Sequence, residues 1–384
     1  MNSKKFALYL VISALAVFLF TRWSAGFYIK EHREAQATLT GGPMVQIGNT
    51  DGLTSMVITW RTLEPSNSQV DFGESLSYGQ TVIAHEPTQR HAVVLSHLRP
   101  NTKYHYQIKS NNVVLESAIF HTGKVGGTPF RFAVFGDSGS GKSQEYKVAR
   151  EVERQSVDFI LHTGDLVYSK GEDKEYRARV YLPYKSLLAQ VPLFPVLGNH
   201  DMKTLRGQPW LDNFALPGKK RYYSFSYGNA FFIALDSYEI NSTTTDWLEH
   251  ELAGTDKLWK FVFFHEPPFS NQVRRSGNAA TRTLWVPLFE KYRVDMVFSG
   301  HDHMYTHFQP HNGVVYIVEG AGGSKLKKHD PLANGVLFTN HSKYGFGLVD
   351  INGPKLVFQH LTTEGAVLDT FTLAKHHAVA TSPK

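Results

Sequence analysis

Five times along this chain an apolar run stops and an Asp, Asn or His follows at once. Gly136-Asp137-Ser138-Gly139 follows Phe130 to Phe135, and Gly164-Asp165-Leu166-Val167-Tyr168 follows Phe159 to His162. Gly198-Asn199-His200-Asp201 follows Val191 to Leu197, His265 follows Trp259 to Phe264, and Gly300-His301-Asp302-His303 follows Val294 to Ser299. Carboxylate, amide, phenol and imidazole are donors for hard and borderline metal ions. Strand ends hold such donors at fixed positions, and a glycine beside each lets the backbone turn tightly. Two metals about 3.5–4 Å apart need roughly six to eight protein ligands, one of them bridging. The loops offer Asp137, Asp165, Tyr168, Asn199, His265, His301 and His303. Each loop alone reads as an ordinary turn; the ordered set points to a dinuclear centre. The 384 residues include 19 His and no Cys, which excludes disulfides, thiolate metal sites and a Cys nucleophile.

The elements that must position these residues are legible around them. From Phe130 on, apolar strands alternate with helical patterns. The stretch Lys142 to Arg154 puts Val148, Ala149 and Val152 on one helix face, between two strands, as in a βαβ unit. Loops at the carboxyl ends of such strands make sites. Later runs, Val314 to Val318, Gly345 to Val349 and Leu356 to Leu361, predict strands of a second sheet, so this part is expected to be an α/β/β/α sandwich. Ahead of it, Met56 to Trp60, Val70 to Phe72, His91 to Leu95, Tyr104 to Ile108 and Ala118 to His121 are short strand-like runs between turn residues. They predict an all-β immunoglobulin/fibronectin-like sandwich. Leu98 to Tyr104 resembles the tyrosine-corner stretch of fibronectin type III domains, with Trp60 as the core tryptophan. A scaffold role is favoured for it over a binding role. The expected division is 1–26 address segment, 27–43 linker ending in Gly41-Gly42-Pro43, 44–122 sandwich, 128–374 catalytic domain and 375–384 loose tail.

Lys4-Lys5 precedes an apolar run from Phe6 to Phe20, and the small residues Ser24 and Gly26 follow Arg22-Trp23. That is the pattern of an export signal; an uncleaved membrane anchor is the alternative. Export, to a periplasm or the cell exterior, is expected either way. The net charge of +6 owes three of its 40 basic residues to this stretch. What remains gives no argument for nucleic-acid binding.

The ordered set resembles the calcineurin-like metallophosphoesterases and, within them, the purple acid phosphatases. The resemblance covers most of residues 128–350. It includes Gly171, Tyr223-Ser224-Phe225 ahead of Asp236-Ser237, and Gly320-Ala321-Gly322-Gly323. The leading sandwich is also like that of plant-type members. Most of the superfamily has a His where Gly139 stands; Tyr168 looks like the tyrosinate ligand that purple acid phosphatases use instead. The resemblance implies that Asp137, Asp165, Tyr168 and His303 hold Fe(III). It implies that Asp165, Asn199, His265 and His301 hold a divalent Zn, Mn or Fe, with Asp165 bridging. It implies hydrolysis of small phosphate monoesters by a metal-bound hydroxide, with His200 contacting substrate and assisting the leaving group.

The chain departs from the family after His265. The stretch Glu266 to Arg275 lacks the leaving-group His often found there, and Arg274 and Arg275 are candidates to hold phosphate oxygens instead. Tyr305 and His307 are open between lining the pocket and packing in the core. Rival readings are a phosphodiesterase on the same site, a binding protein with an inert centre, and a P-loop NTPase. The last rests on residues 136–143, which fit Gly-x4-Gly-Lys-Ser between a strand and a helix.

Overall fold

The computed structural model of the protein describes residues 37–219, 221–272, 276–329 and 335–375. The expected address segment lies outside these residues, as do Arg274, Arg275 and positions 376–384 of the expected tail. No described helix is long and apolar enough to cross a membrane.

The first 85 described residues, 37–121, form a five-stranded antiparallel sheet: β1 (Leu39–Gln46), β2 (Met56–Gly73), β3 (Gln80–Leu95), β4 (Lys103–Ser110) and β5 (Val113–His121). Two expected strands, Met56 to Trp60 and Val70 to Phe72, are one long β2. Its first half pairs with β1 and β3, and its second half with β3 and β4. The polar stretch between them does not turn; the pairing slips at Arg61/Ser66 and Ser66/Ser68, and such irregularities bend a strand. The bent sheet encloses one core, which includes Trp60, Phe72, Tyr106 and Phe120. The tyrosine corner is present, with Arg99 N donating to Tyr104 Oη at 3.0 Å. The Gly41-Gly42-Pro43 end of the expected linker lies inside β1, where the register shifts on both sides of Gly41. Gly and Pro mark a bulge on this outer strand rather than a linker.

The remaining strands form two sheets. The shorter combines β6 (Phe130–Phe135), β7 (Phe159–His162) and β8 (Leu193–Pro195) with β16 (Gly345–Asn352), β17 (Lys355–Thr362) and β18 (Val367–Ala374), in the order β18-β17-β16-β6-β7-β8. The other contains β9 (Tyr223–Tyr227), β10 (Ala230–Ala234), β11 (Trp259–Phe264), β12 (Met296–Ser299), β13 (Tyr305–Phe308), β14 (Val315–Glu319) and β15 (Val336–Asn340). β6, β7 and β8 run parallel to one another, as do β10, β11, β12 and β14.

Strand alternation explains the layering. On β11, Phe261 and Phe263 face the core between the sheets, while Val262 and Phe264 face an outer core. That outer core is closed by Leu248 and Leu252 of the helix Ser242–Gly254, with Trp285 and Phe289 from the next helical pair. Between the sheets, Phe132 stacks on Phe159 at 5.1 Å and meets Phe232 and Phe261 edge-on, both at 5.4 Å. On the far side, the helix Ser143–Arg154 buries Val148, Ala149 and Val152. The result is the expected α/β/β/α sandwich, but of the three runs expected to build a second sheet only Val315–Glu319 does so. Gly345–Asn352 pairs antiparallel with β6, and Lys355–Thr362 pairs antiparallel with Gly345–Asn352, so both extend the sheet of β6, β7 and β8. The leading sheet seats on it through Tyr106 Oη donating to Ala189 O at 2.8 Å and Arg61 paired with Asp173 at 2.9 Å.

Candidate metal centre

The carboxyl ends of the two parallel strand sets meet, and the seven expected ligands converge there. Asp137, Asp165 and Asn199 follow β6, β7 and β8; His265, His301 and His303 follow β11 and β12. Their donor atoms fall into two triads. In one, Tyr168 Oη lies 3.2 Å from both Asp137 Oδ1 and His303 Nε2, and those two are 3.4 Å apart. In the other, Asn199 Oδ1 lies 3.3 Å from His265 Nε2 and 3.1 Å from His301 Nδ1, and the two nitrogens are 3.2 Å apart. Asp165 stands between them: its Oδ1 is 3.7 Å from His265 Nε2, and carboxylate and imidazole atoms of Asp137, Asp165 and His265 all lie within 4.8 Å of one another.

The chemistry of these donors fits cations. His265 Nδ1 lies 2.7 Å from Thr163 O, and His303 Nδ1 lies 2.9 Å from Lys325 O. A carbonyl has no proton to give, so both imidazoles protonate at Nδ1 and, when neutral, turn the Nε2 lone pair to the centre. With the imidazoles neutral, the first triad gathers three acceptors with one hydrogen among them, on Tyr168 Oη, and the second sets the acceptors Asn199 Oδ1 and His265 Nε2 beside His301 Nδ1. A cation with bonds of about 2.1 Å keeps neighbouring ligand atoms roughly 3.0–3.4 Å apart, which matches both triads.

The electrostatics run the same way. Burial pushes the Asp137 carboxyl up, but its hydrogen bond to His303 and the charges of His265, His303 and His301 prevail and hold it at about 2. Burial and the charges of Asp137 and Asp165 push the Tyr168 phenol well above its ordinary value. A bound cation is what would bring the phenolate within reach.

The backbone around the ligands is tightly fixed. Asp137, Asp165 and His301 all have positive φ, at 55°, 57° and 69°. A Cβ on Gly139 would lie 1.9 Å from Leu166 O, so this backbone has no room for the His that most of the superfamily carries there.

Two residues that the sequence reading passed over organise the loops. Asp201, fully buried, accepts through Oδ2 from the amides of Asp165 (2.9 Å), Gly198 (2.9 Å) and Leu166 (3.3 Å), and through Oδ1 from Val167 (3.2 Å). It ties the second and third loops together. Burial and the Asp165 charge push its carboxyl up to about 7, against the pull of the Gly198 amide. His162 accepts from Gly164 N at 3.2 Å through Nδ1 and meets Ser138 Oγ at 2.9 Å through Nε2, linking the first loop to the second. Burial presses its imidazole down to about 3, so it stays neutral. Both residues sat inside the quoted loops or beside them, and their signal was their place next to a ligand.

His200 is half-buried at the edge of the centre. Its ring packs 4.4 Å from that of Tyr168, and its Nδ1 lies 2.8 Å from Ser169 O and 2.9 Å from Lys203 Nζ. Tyr305 and His307 do not line the site. They are buried in β13, and both bond to Asp369 Oδ2 on β18, at 2.6 and 2.8 Å.

The P-loop reading fails on hydrogen bonds. A phosphate cradle needs free amides. Here Asp137 N donates to Gly164 O, Gly139 N to Asp165 O, Ser140 N to Ser138 O and Lys142 N to Ser140 Oγ. Gly141 N donates to the carboxylate of Glu145 at 2.7 Å. The protein's own acid holds the place that an anion would take.

With the fold and the centre in view, comparison with known proteins agrees. Residues 130–305 match the family described as Calcineurin-like phosphoesterase. Residues 43–122 match Purple acid Phosphatase, N-terminal domain, and residues 313–370 match Iron/zinc purple acid phosphatase-like protein C. The chain belongs to the calcineurin-like phosphoesterases, in their purple acid phosphatase branch. Purple acid phosphatase 21 of Arabidopsis thaliana is 28% identical over 279 residues, covering 66% of this chain and 62% of its own. Fe(3+)-Zn(2+) purple acid phosphatase 12 of the same plant is 26% identical over 257 residues, covering 60% and 55%. The chain thus spans less than two thirds of the length of these relatives. The solved structure of a purple acid phosphatase from yellow lupin (Lupinus luteus) seeds shares the fold, with a TM-score of 0.78 at 19% identity, over 87% of this chain and 74% of that one.

Proposed function

We propose that the protein is an exported metal-dependent phosphatase that hydrolyses phosphate monoesters at a dinuclear centre. The observation that carries this reading is the pair of donor triads, 3.1–3.4 Å across, with Asp165 between them. Tyr168, Asp137 and His303 with Asp165 suit Fe(III), since phenolate and carboxylate are hard anionic ligands. Asn199, His265 and His301 with Asp165 suit a divalent ion such as Zn, Mn or Fe. The name of the Arabidopsis Fe(3+)-Zn(2+) relative supports that pairing. When bound, the cations supply Lewis acidity to the phosphoryl oxygens and acidify water into a nucleophile.

The chain's own residues do the rest. Asp201 and His162 fix the loops so that the ligands are held before substrate arrives. Lys203 Nζ bridges Ser169 O and His200 Nδ1; its donation to Nδ1 keeps the ring proton on Nε2, which faces a substrate oxygen and gives that proton to the departing alcohol. Export rests on Lys4-Lys5 and the apolar run that follows.

The test is hydrolysis of p-nitrophenyl phosphate before and after metal stripping. Activity is expected to vanish on stripping and to return with iron plus a divalent ion. No turnover by protein verified to hold two metals per chain would refute the monoesterase reading. Turnover of bis(p-nitrophenyl) phosphate alone would replace it with a diesterase.

A further inference from the structure

A cavity of ≈ 170 Å³ opens beside His301, and Glu266, Ser270, Asn278 and Asp302 are among its walls. No described residue lining it is Lys or Arg. Glu266 directly follows His265, and its backbone amide donates to Ser237 Oγ at 3.1 Å. Its Oε2 accepts from Asn278 Nδ2 at 2.7 Å. Asn278 is itself fixed, because it caps the helix Ala279–Leu284 by accepting from Thr281 N at 3.0 Å. The helix cap therefore holds a carboxylate in place on the wall of a cleft that adjoins the centre. On the same wall, Ser270 Oγ donates to Asp302.

We propose that Glu266 is a specificity-determining residue: the cavity receives the alcohol part of the phosphoester, and Glu266 favours alcohols that bring an ammonium or hydroxyl donor. This inference rests on the phosphatase reading above. An alcohol still joined to phosphorus at the centre must extend into adjoining space, and this cavity begins at His301. A fixed carboxylate in a half-buried cleft attracts a cation and repels a second carboxylate. Discrimination of this kind comes from the repulsion as much as from the attraction. Leaving groups ending in carboxylate are therefore rejected.

The experiment compares kcat/KM for O-phosphorylethanolamine and phosphoglycolate, short esters with opposite charge on the alcohol, in the metal-loaded wild type and in Glu266→Gln. Glutamine keeps the oxygen that Asn278 needs and removes the charge. The wild type is expected to prefer the ammonium ester. The variant is expected to lose rate on it and to gain rate on phosphoglycolate, moving the ratio by about tenfold. A parallel fall on both esters means a merely structural role, and an unchanged ratio means that the alcohol lies elsewhere; either result overturns the proposal while leaving the phosphatase reading intact. Failure of the loaded wild type on both esters and on p-nitrophenyl phosphate overturns the phosphatase reading and this inference with it.

Discussion

Asp201→Asn is the sharpest perturbation of the centre that replaces no expected ligand. Asparagine keeps the shape of the side chain. Its oxygen, placed where Oδ2 now lies, still accepts from the amides of Asp165, Leu166 and Gly198. Its NH2 then faces the Val167 amide, which now donates at 3.2 Å, and two donors meet. One buried N–H without a partner costs about 1–3 kcal/mol. The three remaining bonds lose their charge assistance, which is roughly half their strength. Relief of the charge's burial and of its repulsion with Asp165, which together lift the carboxyl to about 7, offsets that loss of charge assistance. A net cost of about 1–3 kcal/mol, that of the unpaired Val167 amide, remains, and it falls on the two loops that carry Asp165, Tyr168 and Asn199. Where the orienting partners of ligands are lost, affinity for metal falls on the order of 10–100-fold. The assay is equilibrium dialysis of the stripped variant against zinc and iron, read by elemental analysis, with urea denaturation of the stripped proteins alongside. A variant that binds both metals as the wild type does, with an unchanged urea midpoint, would refute the reasoning and reduce Asp201 to a bystander.

Three further outcomes are expected. Tyr168→Phe should abolish any visible phenolate-to-iron absorption of the iron-loaded protein; a band of unchanged position and intensity would remove Tyr168 from the ferric site. His200→Ala should lower turnover on the order of 10²–10⁴-fold while two metals per chain are retained, and loss of metal together with turnover would make His200 structural. His91 is buried against Trp60 at 4.6 Å, and burial lowers its imidazole to about 4. The unfolded chain therefore takes up that proton first as the pH drops. Stability should be intact above pH ~6.5 and fall by up to about 3 kcal/mol as the pH approaches 4. Urea titrations of wild type and His91→Gln across that window check it, and an equal pH slope in both would rule out His91 as the source.

What could be read from the sequence depended on contrast between neighbours. Phe130–Phe135, Phe159–His162 and Trp259–Phe264 are apolar runs cut off by polar residues, and they are strands within those same bounds. β3 gave only its last residues, because positions 80–90 are largely exposed and carry no alternation. β2 read as two strands because Thr62 to Asn67 looks like a turn, yet bends without reversing the chain. β18 went unread although Phe371 and Leu373 alternate with polar neighbours, because none of the side chains on this outer strand is fully buried. At the centre, the expected ligands announce themselves by residue type after a strand. Asp201 and His162 do not, because their role is set by which backbone amides the fold brings to them.

The positive φ of Asp137, Asp165 and His301 has a bearing on how the site can be probed by mutation. In this region asparagine, aspartate and glycine are comfortable and most other side chains are not. An alanine at Asp137 or Asp165 combines a missing donor with a backbone penalty of about 1–2 kcal/mol, and activity data cannot separate the two. A library screened only for folded protein would then disfavour alanine at both positions before any substrate is added. At Asp137 and Asp165, asparagine is the substitution that suits the backbone and removes the charge and one acceptor oxygen. Comparing asparagine with alanine at each separates what the chain needs in order to turn there from what a cation needs in order to bind.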